Sequence, residues 1–189
     1  MIIYIHGFGS SGKGGKALEF REYFESVNEP FIAPSLSYVP ELAMDTLEQL
    51  VNSYENVTLI GSSLGGYYSI YLAEKYGLKA VLINPAVASF ETLKRAIDLT
   101  GYATNYYDGS LFTWQESYVK MLKEYEVERI ASKDYLLLLQ TGDDILNYED
   151  AVRKVPNATM IIEEGGTHPF EGIERHFDRI NEFIKIIKE

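Results

Sequence analysis

Six short apolar runs constrain this chain more than any other feature. They are IIYI (2–5), FIAP (31–34), VTLI (57–60), AVLI (80–83), YLLLLQ (135–140) and ATMII (158–162). Each is unbroken rather than alternating. That is the pattern of a strand buried on both faces, and such strands belong to parallel sheets covered by helices. Between the runs lie longer amphipathic stretches at 15–27, 41–54, 64–76, 89–100, 113–129, 148–155 and 173–188, which predict helices. The alternation predicts an α/β fold with a parallel sheet and helices on both faces. The chain has 189 residues and no repeat, linker or low-complexity tract, so a single domain over 1–189 is expected. Residues 84–134 separate two strands by more than one crossover helix requires, and predict a small helical cap-like insertion. Its Tyr102, Tyr106, Tyr107, Phe112, Trp114 and Tyr118 suit a cap over the site, a packed helical pair, or a homodimer contact.

The strands end in turns rich in glycine and polar residues: HGFGSSGKGG, GSSLGG, NPA, TGDD and GGTHP. In open α/β sheets the carboxyl ends of the strands carry the ligand site. Residues 61–65 read Gly-Ser-Ser-Leu-Gly, centred on Ser63, between an apolar run and a helical pattern. This is the strand–turn–helix setting of a nucleophile elbow. Strand and helix nearly touch in such a turn, so Gly61 and Gly65 stand where side chains do not fit. Ser62 is off register. A serine hydroxyl needs a base, and the chain has three histidines. His168, in the loop before the last helix, can reach across the strand ends to Ser63. His176 lies inside a helical pattern and reads as a packing or surface residue, and His6 as part of the first loop. A carboxylate must hold the imidazole. Asp143 and Asp144 end the penultimate strand. Ile145 and Leu146, two and three positions on, favour Asp143 and leave Asp144 as the alternative. The order Ser63, Asp143, His168 is that of α/β hydrolases.

The first loop admits two readings. GFGSSGKG (7–14) is nearly a phosphate-binding P-loop, but Gly14 stands where Ser or Thr would meet Mg²⁺. With a serine nucleophile it reads instead as one wall of an oxyanion hole, with Phe8 and Leu64 supplying backbone N–H groups and Gly7 allowing close approach. Lys13 and Lys16 then read as cations in the first helical turns, and Ser10 and Ser11 as caps for that helix.

The net charge of −11 argues against a nucleic-acid surface and against polyphosphate ligands. There is no cysteine, hence no thiol nucleophile, thiolate metal site or disulfide. No His-Glu-x-x-His or similar spacing predicts a metal, and no cofactor is called for. No signal peptide and no apolar run of roughly 20 residues is visible, which leaves a cytoplasmic location and no membrane as the expectation.

HGFGSS, LIGSSLGGYYSIYLAEKYG, LINPAV, NYYDGSLFTW, TGDDILNY and EEGGTHPFEG follow one another in order. Together they resemble the small bacterial α/β-hydrolase esterases typified by YqiA, over essentially the whole chain. The resemblance implies a reduced α/β-hydrolase fold, with six parallel strands in the order 2-1-3-4-5-6. It implies an esterase of short to medium acyl chains, with Ser63 as nucleophile, Asp143 as acid, His168 as base, and Phe8 and Leu64 as backbone donors. Asp144 and Asn147 depart from that pattern, where such sequences often have Glu and Asp. The expected partner is a small acyl ester, in a pocket drawn from Tyr67, Asn84, Trp114 and Phe170. An acyl thioesterase, or a hydrolase-fold binding protein of low turnover, would share these residues.

Overall fold

The computed structural model describes residues 1–97, 100–130 and 132–185. Along the chain run β1 (Ile2–Ile5), α1 (Gly15–Ser26), β2 (Phe31–Ile32), α2 (Pro40–Ser53), β3 (Thr58–Ser62), α3 (Leu64–Tyr76) and β4 (Lys79–Ile83). Then follow α4 (Ser89–Thr92), β5 (Tyr102–Thr104), β6 (Leu111–Thr113), α5 (Glu116–Lys123), β7 (Tyr135–Gln140), α6 (Tyr148–Lys154), β8 (Thr159–Glu163) and α7 (Phe177–Lys185). One six-stranded sheet has the order β2-β1-β3-β4-β7-β8, with every pair parallel. Counting only its strands, this is the 2-1-3-4-5-6 order of a reduced α/β-hydrolase sheet.

Unbroken apolar strands have two core faces, and the sheet divides them by residue parity. Ile3, Ile5, Leu59, Leu82 and Leu137 face a core shared with Leu47 of α2, Leu72 of α3 and Leu122 of α5. Ile2, Tyr4, Ile60, Val81 and Leu138 face a second core shared with Phe20 and Phe24 of α1 and Phe177 and Ile180 of α7. Each fully buried side chain of this kind contributes about 1.5–3 kcal/mol. Among the described residues no helix is long and apolar enough to cross a membrane.

Several elements differ from their sequence reading. The run at 31–34 forms only a two-residue edge strand. Beyond it Pro34 lacks the N–H a ladder needs, and the Ala33–Pro34 backbone packs against Gly12. The stretch 89–100 gives α4 and a 3₁₀ turn over Leu93–Ala96, with residues 98 and 99 outside the described residues. The stretch 173–188 gives a 3₁₀ turn, Ile173–His176, and then α7, with 186–188 again outside.

The segment read as a helical cap is helical in part. Between α4 and α5 it forms an antiparallel hairpin, with Tyr102 opposite Thr113 and Ala103 opposite Phe112. This also moves the start of the helix expected at 113 to Glu116. Its loop places Gly109 at φ 74°, where glycine carries no steric cost, and the Gly109 amide donates to the Asn105 carbonyl at 2.8 Å. Phe112 is buried between exposed Leu111 and Thr113, the period-two pattern of a half-covered strand. The Tyr106 amide donates to the Gly9 carbonyl at 2.7 Å, joining the hairpin to the loop after β1.

Candidate active site

The end of β3 and the start of α3 are separated by Ser63 alone. Ser63 sits at φ 56°, ψ −120°, a conformation costly for any residue with a side chain. Two close approaches leave the chain no alternative. A Cβ on Gly61 would lie 2.3 Å from the Gly65 carbonyl oxygen, and one on Gly65 would lie 1.9 Å from that of Ile5. Gly7 packs on Ser63 from the other side.

Ser63 Oγ lies 2.9 Å from His168 Nε2, and His168 Nδ1 lies 2.8 Å from Asp143 Oδ2. The other Asp143 oxygen accepts the Ile145 and Leu146 amides at 2.9 and 2.8 Å. Burial alone would raise this carboxyl's pKa. The imidazole and the two amides outweigh burial and hold it below the usual carboxylate range. An ionised carboxylate only accepts, so Nδ1 carries the proton and Nε2 is left to accept the Ser63 hydroxyl. Asp143's side chain is 2% exposed, whereas Asp144 is exposed, so Asp143 is the carboxylate that the structure brings to His168.

The first loop is set by His6. Its buried ring accepts the Leu36 amide at Nε2, 3.0 Å, so Nδ1 is the donor to the Gly7 carbonyl, 2.8 Å. Burial pushes the His6 pKa down, which keeps the ring neutral. In a trans peptide the C=O and N–H point opposite ways. Turning the Gly7 carbonyl toward His6 therefore turns the Phe8 N–H the other way. Neither Phe8 N–H nor Leu64 N–H has a backbone acceptor among the described residues. Leu64 opens α3, where first-turn amides are unpaired.

A cavity of about 20 Å³ adjoins these two residues, lined by Phe8, Leu36, Tyr38, Leu64, Tyr68 and Trp114 among others. The Phe8 ring stands edge-on to Trp114 and Phe112, at 4.7 and 5.3 Å between centroids. Of the four residues expected in a pocket, only Trp114 lines this cavity. Tyr67 is buried and donates its hydroxyl to the Leu122 carbonyl, tying α3 to α5. Phe170 is buried in the core on the opposite sheet face, beside Ile173 and Phe177. Asn84 is 2% exposed and points at the His168 loop. Its Nδ2 donates to the Thr167 and His168 carbonyls at 3.0 and 3.1 Å, and its Oδ1 accepts the Gln140 amide.

Sequence reasoning missed the loop's other supports. Gln140 Oε1 accepts the Thr167 and Glu171 amides, and its Nε2 donates to Glu163 and the Glu171 carbonyl. Lys16, read as a helix-start cation, turns inward: its ammonium donates to Ser62 Oγ at 3.1 Å and to the Pro169 carbonyl. Its spacing offered a signal, since Lys16, Phe20 and Phe24 recur every four residues on one face of α1. Lys13 is exposed. Ser11 accepts the Lys13 amide and serves a turn ahead of α1, whose cap position is Gly14.

Among solved structures the chain is similar to a putative hydrolase from Agrobacterium vitis, with a TM-score of 0.79 at 18% identity, covering 97% of this chain and 87% of that one. It is also similar to mouse alpha/beta hydrolase domain-containing protein 10, with a TM-score of 0.75 at 22% identity, covering 97% and 88%. Among sequences, UPF0227 protein PM0825 of Pasteurella multocida is 26% identical over 194 residues, 97% of this chain and 98% of that protein. The profile of the uncharacterised protein family UPF0227 matches residues 1–185. With that match over nearly its whole length, the chain belongs to the UPF0227 family, in an α/β-hydrolase fold.

Proposed function

We propose that the protein is a serine hydrolase that cleaves carboxylic esters through an acyl-enzyme. The observation that carries this reading is the relay Ser63–His168–Asp143, with both contacts under 3 Å at a strained elbow. Ser63 Oγ forms a bond to the ester carbonyl carbon as its proton passes to His168 Nε2. Asp143 stabilises the imidazolium without taking its proton. The carbonyl oxygen becomes negative and meets the Phe8 and Leu64 amides, each contributing about 3 kcal/mol to lowering the barrier. Leu64 adds the positive end of α3. Collapse of this intermediate breaks the bond to the alcohol, which leaves with the proton from Nε2. A water then repeats the sequence on the acyl-serine and frees the acid.

The aromatic residues around the amides nearly fill the space beside them. A cavity of about 20 Å³ is roughly the room that one water molecule needs. The tightness of this space supports the short end of the short-to-medium acyl range. The test is hydrolysis of p-nitrophenyl esters from acetate to decanoate by the wild type and Ser63→Ala. Turnover that peaks at the shortest esters and is lost in the variant supports the reading. A wild type inactive on all of them, or an active Ser63→Ala, overturns it.

A further inference from the structure

The relay accounts for Ser63, His168 and Asp143 but not for the cation beneath them. Lys16 is the second residue of α1, on the face that carries Phe20 and Phe24 into the core. Lys16 is half-buried, and its ammonium is largely desolvated. Among the described residues no carboxylate lies within ion-pair distance of it; Glu19 acts on it only at longer range. Burial pushes its pKa down to about 8. A buried charge without an ion partner is costly and persists where its hydrogen bonds do something the fold requires.

Those bonds have one common property. Ser62 immediately precedes Ser63, and Pro169 immediately follows His168. Lys16 is thus a single side chain that grips the backbone neighbours of both members of the proton-transfer pair, one on β3 and one on the loop after β8. Asn84 holds the carbonyls of Thr167 and His168, and Lys16 holds the next one along. Pro169 has no N–H, so its carbonyl is the only backbone handle at that residue.

We propose that Lys16 is a positioning residue that fixes the His168 loop against the Ser63 elbow, and so sets the distance across which the proton moves. The proposal rests on the serine-hydrolase reading. It acts on the reactive step rather than on substrate affinity, since Lys16 bonds to the residues flanking the pair and does not line the cavity beside the amides.

The variant is Lys16→Met, which keeps the stem and removes the ammonium. Three quantities are read: the rate at which a fluorophosphonate probe labels Ser63, kcat and KM on p-nitrophenyl acetate, and the melting temperature. Misplacement of a reacting pair predicts labelling and kcat lowered by about tenfold to a hundredfold. KM stays within about twofold, because uniform binding is untouched. The chain has no cysteine, so Lys16→Cys can be alkylated in the unfolded state with 2-bromoethylamine and refolded. This restores an amine of nearly the original reach, and the rate should recover with it. Ser62→Ala removes one of the two grips and should lower the rate less than Lys16→Met. If Lys16→Met does not fold, the alkylated and unalkylated Lys16→Cys proteins and Ser62→Ala make the same comparison.

Unchanged labelling and kcat in Lys16→Met overturn the proposal. So does a raised KM at constant kcat, or an aminoethyl group that restores the melting temperature without the rate. A wild type that labels but hydrolyses no ester overturns the esterase reading alone, and the labelling ratio still decides for Lys16. A wild type that does not label overturns both.

Discussion

The side-chain oxygen of Asn84 accepts the Gln140 amide at 3.0 Å, and from that junction both side chains reach into the loop that carries His168. Asn84 donates to the Thr167 and His168 carbonyls, while Gln140 accepts the Thr167 and Glu171 amides and donates to the Glu171 carbonyl; a carboxamide can both donate and accept in this way. Asn84→Ala removes three hydrogen bonds, one buried and two partly buried, and leaves Cβ at φ 38°. It should destabilise the protein by about 2–4 kcal/mol, read as a lowered urea midpoint, and should lower kcat through the loosened loop. Asn84→Gly, which relieves the backbone, should recover stability only in part.

Ser63 and Gly65 should respond in opposite directions. Ser63→Gly replaces a residue strained at φ 56° and should raise stability by about 1 kcal/mol while abolishing ester hydrolysis. Gly65→Ala forces a Cβ to within 1.9 Å of the Ile5 carbonyl oxygen and should lower stability by about 3 kcal/mol. Thermal unfolding of the two variants beside the wild type checks both signs.

Asp143→Asn keeps the shape of the acid but offers His168 a donor or a neutral acceptor, and favours the wrong tautomer. The expected loss in kcat is about 10⁴-fold. The same substitution should change the acid response. The folded pKa of Asp143 lies below its unfolded value of 3.8, so its stabilising contribution is present above 3.8 and is lost as pH falls through the folded value. Urea midpoints measured down a pH series should fall less steeply below 3.8 in Asp143→Asn than in the wild type.

Tyr38 closes the small cavity by stacking on Phe112 at 3.7 Å, with its hydroxyl held by Asn105. It is only half-buried, so Tyr38→Ala opens the cavity with less loss of core than a change at Trp114. The variant should move the p-nitrophenyl ester optimum toward longer acyl chains. An optimum that stays at acetate would place the acyl group elsewhere.

How far the sequence carried depended on how local each determinant was. The strands were legible because runs such as YLLLLQ at 135–140 have no polar face to disguise them. The elbow was legible because its glycines answer a clash between neighbours a few residues apart. The hairpin at 102–113 was not. Its strands are three residues long and bury only Phe112, which packs on Phe8, distant in sequence. Asn84 and Phe170 were misplaced for a related reason. Adjacency to a strand end or to a catalytic candidate does not say which way a side chain turns, and tertiary partners turned Asn84 to the loop and Phe170 into the core. Lys16 stood on a legible helix face, but the charge invited a solvent reading that its bonds to Ser62 and Pro169 overrule.

The bond between Tyr106 and Gly9 has a mechanical consequence. The hairpin is moored to the turn that presents the Phe8 amide, and its Phe112, with nearby Trp114, braces the Phe8 ring. In the proposed mechanism, swinging the hairpin outward to admit a bulkier acyl group would drag that turn and tilt the amide away from the developing charge. On that proposal admission and reactivity are geared together: an acyl group that enters only by prying the hairpin loose would also dismantle the machinery proposed to cleave it.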